Sequence, residues 1–166
     1  MAMTEVDVLA VLDILEDGAI PVSVAGGWAV DALLGRVTRE HGDLDLAIDT
    51  TLVDDAVRAL ARLGLPPALD ERPARLVLSD GRRAVDLHPV AWGVDGTGLQ
   101  VGLGRERFVY PPGSADAVGH IGGRTVRCLT PELLIGFHLG YEPRSIDRQD
   151  LAALARRFDV ELPPPY

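Results

Sequence analysis

Residues 21–49, PVSVAGGWAVDALLGRVTREHGDLDLAID, constrain the fold more than any other part of the chain. PVSVA at 21–25 is apolar and β-prone and reads as a buried strand. Gly26 and Gly27 then allow a sharp turn and a close approach of backbone to a ligand. A helix is predicted over 28–34, stopped at Gly35 by a left-handed residue. The first amides of such a helix have no intrahelical partners and sit at the positive end of its dipole, so the junction is a cradle for phosphate oxygens. In GDLDLAI, 42–48, acids and leucines alternate, which on a strand puts Asp43 and Asp45 on one face and sends the leucines into a core. Adjacent carboxylates repel unless a divalent cation lies between them, and hard oxygen ligands suit Mg²⁺ with bound phosphate. The same alternation also describes the wet face of an ordinary amphipathic strand, so the decision rests on the rest of the chain.

A third acid sits in a comparable setting. Residues 75–79 and 83–90 are β-rich and flank Asp80-Gly81, a dipeptide that favours a tight hairpin turn. Asp86 therefore falls inside a strand, between Val85 and Leu87 as core residues, and shares its face with Ala84 and His88. If this strand lies beside the Asp43/Asp45 strand, three carboxylates converge, enough to hold two metal ions against a triphosphate.

The order of strand, Gly-Gly, helix, Asp43-x-Asp45 and a later strand Asp86 resembles the nucleotidyltransferase superfamily that includes DNA polymerase β and the small antibiotic nucleotidyltransferases. Within it, GGWAVDALLGRVTREHGDLDL is similar to the aminoglycoside 2''-O-nucleotidyltransferases, Arg36, Thr38, Arg39 and His41 included. VDLHP at 85–89 and FHLGY at 137–141, with Asp147 and Asp150 beyond, look more like the lincosamide nucleotidyltransferases. The resemblance implies an α+β nucleotidyltransferase fold, a mixed β-sheet flanked by helices with a short C-terminal helical segment. It implies transfer of a nucleoside monophosphate, AMP from ATP or from another nucleoside triphosphate, to a hydroxyl of an aminoglycoside, with two Mg²⁺ ions and release of pyrophosphate. The alternative is the same chemistry on a lincosamide, or on a protein or tRNA acceptor as in toxin-antitoxin nucleotidyltransferases. A noncatalytic nucleotide-binding module would have no need of three carboxylates.

Roles follow as expectations. Asp43 and Asp45 hold the metal; Asp86 is either a further metal ligand or the base that takes the acceptor proton. Gly26, Gly27, Arg36 and Arg39 position the triphosphate, and His41 belongs to the same group or braces the turn before Asp43. His88 lines the acceptor pocket or is structural. Trp92 and Tyr141 pack on a sugar ring or complete the core. Asp31, with Asp95, Glu132 and Glu142, would draw a polycationic drug to an acidic cleft.

Net charge decides between partner classes. At -9 the chain is unsuited to the backbone of a nucleic acid, and compatible with a cationic small molecule. All sixteen basic residues are arginine, which excludes a lysine-bearing P-loop and Schiff-base chemistry and leaves arginine to grip phosphates. Cys128 is alone, so no internal disulfide forms, and its strand context reads as a buried thiol. There is no membrane-length apolar run and no basic secretory start, so a cytoplasmic location is expected.

The remaining elements are read from local signals. Thr4 caps a first helix, and residues 52–63 form an amphipathic helix closed by Gly64. Residues 92–104 are glycine-rich turns that edge a pocket or form a plain surface loop. Ile121-Gly122-Gly123-Arg124 is a second hairpin turn, and Thr130-Pro131-Glu132 starts a helix. A last helix is expected over 147–158, with an extended, uninvolved proline tail at 163–165. The catalytic core spans 1–129 and the helical segment with its tail 130–166, in a single unit with a homodimer as one possible assembly.

Overall fold

In the computed structural model, residues 2–139 and 141–166 are described; Gly140, within the FHLGY segment, lies outside them. The strands are β1 (Val22–Val24), β2 (Leu44–Asp49), β3 (Pro67–Glu71), β4 (Arg75–Ser79), β5 (Ala84–Trp92), β6 (Gly98–Val101), β7 (Arg107–Tyr110), β8 (Ala117–Ile121) and β9 (Arg124–Cys128). They form one mixed sheet in the order β3-β4-β5-β2-β1-β9-β8, with β6 also pairing β5 and β7 pairing β6. The central pair β2–β5 is parallel, as is β1–β9, and the other pairings are antiparallel. The helices are α1 (Glu5–Asp17), α2 (Gly26–Leu34), α3 (Val53–Ala61), α4 (Pro131–Phe137) and α5 (Ser145–Phe158). α1 packs on α3, and α2 packs on β8, α4 and α5. No helix among the described residues is long and apolar enough to cross a membrane.

The local signals act as sequence chemistry demands. Thr4 and Asp7 form a reciprocal capping box on α1, each satisfying the other's backbone amide. The β4–β5 hairpin closes through Asp80, whose carboxylate accepts from the amides of Arg82 and Arg83, while Gly81 takes a positive φ. Gly122 and Gly123, both at positive φ, make the two-residue turn between β8 and β9. Thr130 caps α4 with Pro131 in its first turn. Leu44, Leu46 and Ile48 of β2 meet Val85 and Leu87 of β5 in a core closed to solvent. Cys128 is buried in β9, and burial pushes its thiol up to about 12.

Four expectations change. α2 begins at Gly26, so the two glycines are its first turn rather than a turn before it. The 92–104 region carries β6, with β7 starting just beyond it at Arg107, and residues 67–71 form β3. α5 starts two residues earlier than expected, at Ser145. The tail is engaged: the Tyr166 hydroxyl donates to the His138 carbonyl at 2.7 Å, and Arg148 donates to the Pro165 carbonyl.

Candidate active site

Parallel pairing of β2 and β5 sets the site. Asp45 and Asp86 are directly paired Cα neighbours in that ladder, and Ala47 is paired with His88. The Asp45 and Asp86 carboxylates and the His88 ring bring one ligand atom each within 4.8 Å of one another. His88 Nε2 lies 3.0 Å from Asp45 Oδ1 and 4.0 Å from Asp86 Oδ1. Asp43 precedes β2, exposed at the mouth of the cluster and outside that ligand group. It remains electrostatically coupled: desolvation first, then the Asp45 charge, raises its carboxyl.

Asp86 is 5 % exposed. Arg75 on β4 donates to its Oδ2 at 3.3 Å and is itself held by Glu71, while Oδ1 is buried with no hydrogen-bond partner. Burial pushes the carboxyl up to about 6, with the charges of Asp45 and Asp43 adding to the rise and His88 and Arg75 opposing it. A buried, bare carboxylate oxygen beside a second carboxylate is what a hard divalent cation would satisfy. His88 is raised as well: burial works against its charged form, but the hydrogen bond and charge of Asp45, with Asp86, outweigh it.

The two glycines have distinct close neighbours. A Cβ on Gly26, which holds φ +55°, would strike the Asp45 carboxylate; one on Gly27 would strike Arg39 Nη2 and His41 Nδ1. The N-cap of α2 is Ala25, which offers no capping side chain, so the first amides of the helix face the carboxylate cluster uncapped. Arg39 is fixed there by Asp150 of α5, through Nε at 3.2 Å and Nη2 at 2.8 Å. Hydrogens on Nη1 and Nη2 remain to donate elsewhere.

Other expected residues are placed differently. Asp31 is 2 % exposed and fully engaged: His41 Nε2 meets its Oδ2 at 2.5 Å, and the Thr38 amide and hydroxyl donate to Oδ1. It pins the loop before β2 and cannot meet a drug. His41, buried and packed on the Trp28 ring, is the brace of that loop. Arg36 is exposed just past Gly35, at the opposite end of α2 from the glycines. Trp92 stands edge-on to Tyr110 and lines a different groove, behind the cleft wall. Tyr141 lies in the α4–α5 connection, where burial and the nearby Asp147 push its phenol up to about 12.

The cleft beside the cluster, about 230 Å³, is lined by Gly26, Asp45, His88 and Gln100, by Phe108 and Tyr110 of β7, and by Phe137 and His138 around the end of α4. Gln100, Phe108, Tyr110 and Arg75 were not foreseen. For the first three the only signal is alternation within β6 and β7, which nearby glycines obscure; Arg75 opens a strand the sequence did show, and it is the pairing of that strand with β5 that brings it to Asp86.

The aminoglycoside-2''-adenylyltransferase family model matches residues 7–154. A lincosamide resistance protein of Staphylococcus haemolyticus is 26 % identical over 92 % of this chain and 94 % of its own. A 2''-aminoglycoside nucleotidyltransferase of Escherichia coli is 30 % identical over 79 % of this chain and 70 % of its own. The crystal structure of the lincosamide antibiotic adenylyltransferase LnuA, bound to lincomycin, superposes with a TM-score of 0.81 at 26 % identity, covering 93 % of this chain and 98 % of that one. By fold, by site and by the match along most of its length, the chain belongs to the aminoglycoside-2''-adenylyltransferase family, among the antibiotic nucleotidyltransferases.

Proposed function

We propose that the protein transfers AMP from ATP to a hydroxyl of an antibiotic. The observation that carries this is the alignment of Asp45 with Asp86, whose bare Oδ1 faces the cluster next to the uncapped start of α2. Asp45 and Asp86, with Asp43 at the mouth, would hold Mg²⁺, which supplies Lewis acidity and neutralises phosphate charge. The α2 amides and Arg39 grip the triphosphate oxygens. Asp86 takes the proton of the acceptor hydroxyl as that oxygen bonds to the α-phosphorus and the bond to the β-phosphate oxygen breaks, releasing pyrophosphate.

The family description favours an aminoglycoside acceptor. One observation favours a lincosamide: the cleft wall is made of Phe108, Tyr110, Phe137 and Leu134, and among the described residues its only acid is Asp45. None of Asp31, Asp95, Glu132 and Glu142 lines it. A polycation would be left with few partners there, whereas a sugar bearing an apolar flank fits. Mass spectrometry of aminoglycoside and lincosamide panels, after incubation with Mg²⁺ and mixed nucleoside triphosphates, tests both readings. An adenylyl adduct on one panel, absent with Asp43→Ala/Asp45→Ala protein, names the acceptor. No adduct on either panel from folded, nucleotide-binding protein would overturn the antibiotic reading and point to a macromolecular acceptor.

A further inference from the structure

Behind the carboxylates runs a chain of side-chain hydrogen bonds. The Tyr110 hydroxyl, in a residue only 1 % exposed, donates to Gln100 Oε1 at 2.7 Å. Gln100 Nε2 lies 3.3 Å from His88 Nδ1, and His88 Nε2 lies 3.0 Å from Asp45 Oδ1. All four side chains border the same cleft.

We propose that Gln100 is a positioning residue that fixes the proton of His88 on Nε2, so that His88 serves the site as a hydrogen-bond donor to Asp45 and not as a metal ligand. The polarity is set from the far end. Tyr110 has one proton to donate, and among the described residues Gln100 Oε1 is the acceptor it reaches. With its carbonyl so occupied, the amide turns its NH₂ towards the ring, and an NH₂ group only donates. Nδ1 must then present its lone pair, and the single proton of the neutral ring sits on Nε2. A nitrogen bearing that proton has no lone pair for a cation, although its position within the three-residue cluster would otherwise suit one.

The consequence falls on Asp45. Its Oδ1 is occupied by the His88 proton, while Oδ2 is the atom pressed against Gly26 at the start of α2. His88 thereby holds the carboxylate with one oxygen committed and the other turned towards the phosphate cradle. The Mg²⁺ site becomes an all-oxygen set of carboxylates, which suits a hard cation, rather than a mixed oxygen and nitrogen set that suits softer ones. Gln100 lies on a strand within the glycine-rich segment, and its side-chain hydrogen bonds among the described residues run to His88 and Tyr110 rather than to a carboxylate; it acts through His88.

This rests on the reading of Asp45 as a metal-holding carboxylate. Ring-nitrogen NMR of protein labelled at its four histidines tests it, at alkaline pH where the rings are neutral and with His88→Gln for assignment. The expected result is a protonated Nε2 and a bare Nδ1 for His88, retained when Mg²⁺ is added. In Gln100→Leu the two tautomers should mix, and Tyr110→Phe should give a smaller change in the same direction. Gln100→Leu should also lower kcat about 10- to 100-fold with little change in the KM for ATP, as for other residues that orient metal-site groups. A proton on Nδ1 in the wild type, loss of the Nε2 proton on adding Mg²⁺, or an unchanged tautomer in Gln100→Leu would overturn the proposal. No acceptor is present in the NMR measurement, so an error in the acceptor class would leave its result untouched.

Discussion

Asp86, the proposed base, carries a cost to stability. Its carboxyl ionises at 3.8 in an unfolded chain and at about 6 in the folded one, so between those values the folded state binds more protons. Stability therefore falls as pH rises through that window and stays lower above it. Asp86→Asn removes the buried charge, and at neutral pH without divalent cations it should stabilise the protein by about 1 to 3 kcal/mol. The gain should vanish as pH drops towards 3.8, because the wild-type carboxyl is then neutral as well. The same variant should lose at least about 100-fold in activity, the ordinary worth of a positioned base. Thermal unfolding in chelator across the acidic range, beside turnover assays, checks both halves. Gly26→Ala tests the opposite neighbour: its Cβ strikes the Asp45 carboxylate in a backbone conformation with φ +55°. It should destabilise by about 1 to 3 kcal/mol and displace Asp45, which urea unfolding and turnover would register.

Among elements, the informative contact joins α5 to the start of α2. Asp150, buried on α5, holds the Arg39 guanidinium against Gly27, so a helix late in the chain positions that side chain beside the proposed phosphate cradle. Asp150→Asn should raise the KM for ATP roughly tenfold while leaving the fold intact, since the charge-assisted pair is worth about 1.5–3 kcal/mol and most of that is Arg39 placement. Initial-rate kinetics with circular dichroism as a fold check would decide it. Elements with punctuation were legible in sequence: Asp80-Gly81 and Gly122-Gly123 gave the hairpins, Thr130-Pro131 the start of α4, and the Asp43-Leu44-Asp45 alternation most of β2. β3, β6 and β7 were not, because Pro67, Gly98 and the surrounding glycines break the β pattern that pairing restores. The carboxylates of the site were legible because alternation fixes a face. Partner choice was not, so Asp31 read as an acid of a substrate cleft when His41 and Thr38 consume it, and Gln100 and Tyr110 went unseen with their strands.

For the whole molecule, ligand linkage gives the broadest check. On the proposed function cation and nucleotide bind the assembled site and not the unfolded chain, so Mg²⁺ with a nonhydrolysable ATP analogue at a hundredfold excess over Kd should add about 2.7 kcal/mol. That is a rise in Tm of several degrees, which Asp43→Ala/Asp45→Ala should abolish; differential scanning fluorimetry suffices. The parallel pairing of β2 with β5 has a consequence in time as well as in space. Parallel neighbours cannot be joined by a tight turn, and here α3, β3 and β4 lie between them in sequence. The chain must close that long loop before Asp45 and Asp86 can meet, whereas the β4–β5 and β8–β9 hairpins and the helices form from near neighbours. During refolding from urea, ellipticity should therefore return before catalytic activity, and the enzyme should regain turnover only in its slowest phase.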